Sequence, residues 1–206
     1  MNEPRPRPPV AIKINTTNTR HTITRNDEYA WMRDENWQEV LRNPDKLRSD
    51  IHEHLVSENN YTDAVLDTNE ALRQKLYKEM RGRIKENDTS PPTPKGDWAW
   101  FSEYETGQEH QQICRQSRTS AHANNIPDIV LDANKEAEGL DYFKLGGTAI
   151  SPRQEYLAWA HDPKGSEYFT LKIRNISADT DLPDTLTNTS GSVAWSIDTR
   201  FIFYIL

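Results

Sequence analysis

Apolar positions recur three or four residues apart between residues 43 and 82. Leu47, Ile51, Leu55, Val65 and Leu66 form one stripe, with Thr62 on the same face, and Leu72, Leu76 and Met80 form a second. The spacing predicts two amphipathic helices with highly charged outer faces. Asn43-Pro44 reads as the start of the first, with Asn as N-cap and Pro at the first helical position. Thr68 reads as the cap of the second, and Gly82 ends or bends it.

After "SPPTPKG", residues 90–96, the period changes from helical to alternating. "DWAWFSEYETGQEHQQICRQ" predicts a strand, a turn at Thr106-Gly107 and a second strand. "NNIPD" predicts a loop. Tyr156–Ala160 predicts a strand, "DPKGS" a hairpin loop, and Phe169–Ile176 the return strand. The run from Phe201 to Leu206 has no polar break and reads as a strand of the buried kind.

Two segments repeat one pattern. "SPRQEYLAWA" begins at Ser151 and "SIDTRFIFYI" at Ser196, so Tyr156 matches Phe201, Leu157 matches Ile202 and Trp159 matches Tyr204, all 45 residues apart. "KGDWAWFSE" around Trp98 resembles an earlier copy, set further off by an insertion at 116–128. An all-β repeat of about 40–50 residues is the size of one four-stranded propeller blade. The bland alternative is an ordinary antiparallel meander. Residues 83–206 hold two to three such repeats, and a ring needs at least four. The chain is therefore expected to be a fragment of a longer protein.

Residues 1–26 hold "PRPRPP" and "NTTNTRHT" and predict an extended, mobile start. "DEYAWMRD", residues 27–34, sets Tyr29, Trp31 and Met32 among charges. It reads as an arm that packs its aromatics on something outside the chain.

Composition narrows the classes. Leu, Ile, Val and Phe number 14, 14, 6 and 5, only 39 of 206 residues, near the line where disorder competes with folding. Six Trp and eight Tyr argue for a folded chain with a thin core of its own. The net charge of −7 and the lack of any Lys/Arg run longer than two give no nucleic-acid footprint. No stretch has the length of a membrane span. The single Cys114 permits neither an internal disulfide nor a Cys-based zinc site. A cytoplasmic protein is expected, with the sequons at Asn15, Asn60, Asn87, Asn175 and Asn188 as chance occurrences.

Motifs for chemistry are sparse. No Gly-x-Ser-x-Gly elbow occurs, and "TSGSV" at 189–193 reads as a turn before a strand. Cys114 reads as a buried structural thiol. His52 and His54, two apart on a helix, point to different sides and cannot share a metal; a solvated face is expected. His21, His110, His122 and His161 are isolated. Glu103, Glu105 and Glu109 flank a turn and read as a solvated rim sooner than a cation site. "LGG" at 145–147 is too short to cradle a phosphate. No catalytic, binding or metal residue and no cofactor is assigned.

Longer strings go further. "DEYAWMRDEN", "LRSDIHEHLVSENNYTDAVL", "LYKEMRGRIKENDTSPPTPKGDWAWFSEYETGQEHQQICR" and "LPDTLTNTSGSVAWSIDTRFIFYI", in that order, resemble the N-terminal part of the oligopeptidase B group. This is a trypsin-like branch of the prolyl oligopeptidase family of serine peptidases. Two departures stand out: His21-Thr22 where the family usually has His-Gly, and Met32 where Leu is usual.

The resemblance implies a mixed α and β fold. Residues 1–82 would be an arm and two helices belonging to a discontinuous α/β-hydrolase domain. Residues 83–206 would be the first two to three blades of an incomplete seven-bladed propeller that limits substrate size. It implies short basic oligopeptides as substrates, cut after Arg or Lys, and a hydrolase domain as partner. No triad residue maps onto this chain. The competing class is a stand-alone, truncated propeller module without activity. The isolated chain is expected to be inactive and prone to aggregate along Phe201–Leu206. Trimming residues 193–206 is expected to improve its solubility.

Overall fold

The computed structural model describes residues 6–119 and 126–206. They fall into two compact units, within residues 1–84 and 85–206. His122 and part of the expected 116–128 insertion and "NNIPD" loop lie outside the described residues.

The first unit opens with a hairpin where the sequence predicts an extended start. Strands β1 (Thr17–Arg20) and β2 (Ile23–Asn26) pair antiparallel from Thr17↔Asn26 to Arg20↔Ile23. The two-residue turn is His21-Thr22, with φ of 51° and 66°. A turn with two positive φ values suits the twist of a hairpin and favours Asn-Gly. Neither residue is a glycine, so proline content and the missing turn signal hid the hairpin.

A knot of polar bonds organises the next thirty residues. Trp31 sits in a 3-10 turn, is buried, and donates its indole N–H to the Ile12 carbonyl at 2.8 Å. Asp34 accepts from the backbone N–H groups of Asn36 at 2.9 Å and Arg48 at 3.0 Å. These bonds hold its carboxyl below the usual carboxylate range. Arg48 donates to the Trp31 carbonyl at 2.9 Å and forks onto Asp50. Trp31 therefore packs within its own chain, contrary to the expectation for the arm, while Tyr29 and Met32 remain exposed.

Helix α1 (Trp37–Arg42) carries too short a stripe for apolar spacing to predict it. Helix α2 runs Ser49–Leu66, and α3 runs Glu70–Arg81. The expected start at Asn43 is corrected. Asn43 makes no side-chain cap bond, and Pro44–Lys46 forms a single 3-10 turn that breaks at extended Leu47 and Arg48. The Asp34 bond to the Arg48 N–H is incompatible with helix there. Thr68 is also not a cap. It lies in the 3-10 turn Asp67–Asn69, and its hydroxyl donates back to the Val65 carbonyl at 2.9 Å. Gly82 ends α3 as expected, at right-handed φ −64° rather than in the left-handed form.

The second unit is antiparallel sheet throughout. Strands β3 (Asp88–Thr89) and β4 (Thr93–Lys95) both pair with β5 (Trp98–Tyr104), which pairs with β6 (Gln112–Ser117), and that with β7 (Asp128–Asp132). Gly107, at φ 82°, makes the expected turn between β5 and β6. After the short helix α4 (Ala133–Glu136), strands β8 (Lys144–Ile150), β9 (Tyr156–Asp162), β10 (Phe169–Asn175) and β11 (Thr180–Thr189) form a four-stranded meander in that order. A last hairpin joins β12 (Val193–Trp195) to β13 (Ile202–Tyr204).

β9 is buried on both faces. Leu157 and Trp159 point into a cluster with Trp100, Val130 and Leu131 from the preceding sheet, Ala133 of α4, and Phe143 just before β8. Ala158 and Ala160 point the other way, into a cluster with Phe169 and Leu171 that Val193, Trp195 and Ile202 cover. The sheets thus stack through alternate residues of one strand, large on one side and small on the other.

The 45-residue offset has a bonding counterpart. The Ser151 N–H donates to the Tyr156 carbonyl at 2.9 Å, as Ser196 does to Phe201 at 2.9 Å. Each serine hydroxyl accepts the opposing N–H, from Tyr156 at 3.1 Å and from Phe201 at 2.9 Å. Gln154 and Thr199 occupy the same left-handed position, φ 60° and 65°. The two segments are not paired with each other: β9 lies between β8 and β10, and β13 pairs with β12.

The "LGG" string is structural. A Cβ on Gly147 would stand 2.3 Å from the Gly191 carbonyl oxygen, and the Gly147 N–H donates to that oxygen at 3.0 Å. A register shift in β8 falls at the same place.

The terminal run differs from a fully buried strand. Only Ile202–Tyr204 forms the ladder, and Phe203, Ile205 and Leu206 are exposed. The hairpin nevertheless shields its neighbour. Trp195 donates its indole N–H to the Ala149 carbonyl at 2.8 Å and stacks on Tyr156 at 6.2 Å. These contacts weigh against trimming, because Val193, Trp195 and Ile202 pack against Phe169 and Leu171.

Three outcomes follow from these contacts. Thermal melts are expected to place 1–192 below 1–206, with the same or greater aggregation. Thr22→Gly is expected to stabilise by about 0.5–1 kcal/mol, because a β-branched residue with positive φ costs about 1–2 kcal/mol and added chain entropy offsets part; unchanged or lower stability would contradict this. Asp162, fully buried, supplies the third. Burial alone would raise its pKa, but backbone N–H groups of Lys164, Gly165 and Glu167 at 2.7–3.0 Å bring it below the ordinary value. Its contribution is therefore full above the unfolded pKa of about 3.9 and is lost as pH falls through the lower folded value. Asp162→Asn should cost about 1–3 kcal/mol at pH 7 and flatten the acid limb of the stability curve.

Candidate functional site

The chemistry-bearing side chains do not converge on a reaction centre. Cys114 sits on β6, almost fully buried, and burial pushes its thiol up to about 11, with Glu103, Asp132 and Glu105 adding to the effect. A thiol so disfavoured as thiolate is not a nucleophile near neutral pH. Thr189 is buried and bonds to the Phe169 carbonyl at 3.1 Å, so "TSGSV" is a turn into β12. Glu105 and Glu109 are exposed and Glu103 is half-buried on β5. Among the described residues, no three His, Cys, Asp or Glu side chains stand close enough to hold a metal ion.

Three histidines have more company than their sequence neighbours suggest. His54 is not on a solvated face: its ring meets Trp31 edge-on at 5.7 Å and its Nε2 lies 3.6 Å from Glu58. His110 meets Phe143 at 5.0 Å, and His161 stacks on both Phe143 and Trp159. Burial, with Lys172 nearby, lowers the His161 pKa below its ordinary value. These are packing roles, and long-range contacts of this kind leave no local sequence signal.

What the structure does offer is uncovered surface. Helix α2 buries Ile51 alone and α3 buries nothing. Leu72, Leu76 and Met80 recur at helical spacing along α3 and all three are about half exposed or more. Leu55, Val56, Val65 and Leu66 of α2 are exposed as well. An amphipathic helix earns its stability by burying its apolar stripe, and among the described residues these side chains stay largely exposed. Exposed apolar side chains at helical spacing mark an interaction face.

Charge is divided unevenly. Residues 1–84 contain 14 basic and 14 acidic side chains, whereas residues 85–206 contain 11 and 18. The whole surplus of −7 lies on the sheet-built unit. No helix among the described residues is long and apolar enough to cross a membrane.

This architecture has known counterparts. Residues 8–206 match the family described as prolyl oligopeptidase, N-terminal beta-propeller domain. Dipeptidyl aminopeptidase BI of Pseudoxanthomonas mexicana is 31% identical over 96% of this chain and 28% of its own length. Protease 2 of Moraxella lacunata is 22% identical over 95% of this chain and 27% of its own. Among solved structures, oligopeptidase B from Leishmania major superposes with a TM-score of 0.83 at 24% identity, over 96% of this chain and 29% of that one. Oligopeptidase B from Trypanosoma brucei, closed and with covalently bound antipain, gives 0.79 at 24% identity. These two likenesses speak for the fold. The chain spans less than a third of the length of each relative. With two stacked antiparallel sheets, a further hairpin and a family match from residue 8 to residue 206, the chain belongs to the prolyl oligopeptidase family, as its N-terminal propeller portion.

Proposed function

We propose that this chain is the non-catalytic N-terminal portion of a serine oligopeptidase that cleaves short peptides after Arg or Lys. The carrying observation is the family match over residues 8–206 joined to a helix pair with an uncovered apolar face. In this reading α2 and α3 lie against an α/β-hydrolase portion that supplies the Ser, His and Asp. The sheets of residues 85–206 open a seven-bladed ring that excludes large substrates. A cytoplasmic setting is part of the proposal, since one cysteine leaves no internal disulfide.

The charge division supports a cationic substrate. A unit whose sequence carries 18 acidic and 11 basic side chains draws basic peptides and raises their local concentration. It contributes to encounter, not to bond cleavage, and salt screens it. In this reading transition-state stabilisation falls to the hydrolase portion, which supplies the nucleophile and the oxyanion donors.

A second reading has its own observation. The 31% identity to dipeptidyl aminopeptidase BI favours recognition of a free α-ammonium group at the peptide terminus. The same acidic surplus attracts that cation.

Fluorogenic peptides separate these readings. Residues 1–206 alone are expected to show no turnover above background. Joined to, or mixed with, the hydrolase portion encoded downstream, the protein is expected to cleave N-blocked Arg and Lys substrates and to lose activity to a serine-directed reagent. Turnover confined to substrates with a free N-terminus would favour the dipeptidyl reading. Inhibitor-sensitive turnover by 1–206 itself would refute both.

A further inference from the structure

The β1–β2 hairpin has two unlike faces. Asn18 pairs with Arg25 and Arg20 pairs with Ile23, so these four share one face. Thr17, Thr19, Thr24 and Asn26 share the other. Arg33, just past the Trp31 turn, joins Arg20 and Arg25 around a concavity of about 760 Å³. A neighbouring concavity of about 600 Å³ is lined by Arg20, Arg33, Arg48 and the rings of Trp31 and Trp37.

The three guanidiniums of Arg20, Arg25 and Arg33 have no hydrogen-bond or ion-pair partner among the described residues. Five other arginines pair with carboxylates. Arg48 pairs with Asp50, Arg73 with Glu70, Arg83 with Glu79, Arg115 with Asp128, and Arg174 with Glu136 and Asp181. Two carboxylates line the concavities without neutralising the three. Asp27 accepts the Tyr29 N–H at 2.9 Å, and Glu35 reaches none of them within ion-pair distance. Like charges on one small face repel, and the planar forks match carboxylate oxygens.

The lining also selects among anions. Ile23 and Trp37 are exposed there and add apolar contact. Three guanidiniums with no Lys/Arg run are a poor match for a phosphate backbone, which needs a longer basic track. A polypeptide surface carrying carboxylates beside apolar side chains fits both features. More than two thirds of the length of the relatives lies outside the segment this chain matches.

We propose that this hairpin face docks a carboxylate-bearing surface supplied by the remainder of the enzyme. The source of that surface rests on the reading under Proposed function; the chemistry of the face does not.

The first test titrates 1–206 with an octaglutamate peptide, read by tryptophan fluorescence at low salt, beside octalysine and inorganic phosphate. The variant is Arg20→Gln/Arg25→Gln/Arg33→Gln, whose side chains are all exposed, with circular dichroism to check the fold. Octaglutamate is expected to bind, at least tenfold more weakly to the variant, and to be released by salt. No binding, undiminished binding to the variant, or equal binding of phosphate would overturn the proposal. The second test measures association of 1–206 with the downstream hydrolase portion. The variant is expected to associate at least tenfold more weakly; equal association would overturn the proposal while leaving the functional reading intact. If wild-type 1–206 fails to associate at all yet binds octaglutamate through these arginines, the functional reading fails and the anion chemistry of the face stands.

Discussion

The fold depends on β9 being buried from both sides. A strand with apolar residues on two faces cannot end a structure; each face requires another layer. Trp159 and Leu157 need the preceding sheet, and Ala158 and Ala160 admit the rings of the following elements at close range. Arg174 reinforces the first seam. It bonds to Glu136 across the gap, to Asp181 on β11 at 3.0 Å, and lies over Trp159. Burial would lower its pKa, but the two carboxylates raise it, so the cation persists inside the seam. Gln154 links the same seam by accepting from the Trp100 indole and donating to the Lys95 carbonyl, both at 2.9 Å. The second seam uses Trp195 on Ala149 and Gly147 on Gly191. Stacking by nearest neighbours is how repeat architectures distribute stability.

Residues 1–84 follow a different rule. Their order comes from polar bonds around Trp31, Asp34 and Arg48, and their buried apolar side chains are Trp31 and Ile51. Such a knot fixes geometry while contributing little of the area term that stabilises a domain. The long helices therefore present apolar stripes that stay largely exposed among the described residues. The thin composition of the chain and this uncovered surface are one fact seen at two scales.

Much of this was legible in the sequence, for stated reasons. The strand at Tyr156 was visible because two-faced burial leaves an unbroken apolar run, and its return strand at Phe169 because apolar and polar residues alternate there. The repeat was visible because its turn recurs with the same serine and the same spacing. The family resemblance drew on long ordered strings. The hairpin at His21-Thr22 was hidden because neither residue announces positive φ. The helix start was misplaced because Asn43-Pro44 has cap chemistry, while a distant carboxylate on Asp34 decides the local backbone. His54 and Trp31 meet across 23 residues, and of the three unpaired arginines Arg20 and Arg25 share a face through strand register while Arg33 joins them past the Trp31 turn. In each case the deciding partner lies outside the window that local pattern can read.

The central proposal is that the helix pair is a docking surface for a hydrolase portion, whereas β9 is covered on both faces within residues 85–206. Amide hydrogen exchange, read residue by residue, tests both halves at once. In 1–206 alone, Leu157–Ala160 should be the slowest-exchanging amides and Leu72–Met80 among the fastest in helix, because few apolar contacts hold α3 in place. Adding the hydrolase portion should slow exchange across Leu72–Met80 and leave β9 unchanged. Strong protection of α3 in the chain alone, or no added protection when the hydrolase portion is present, would contradict the account.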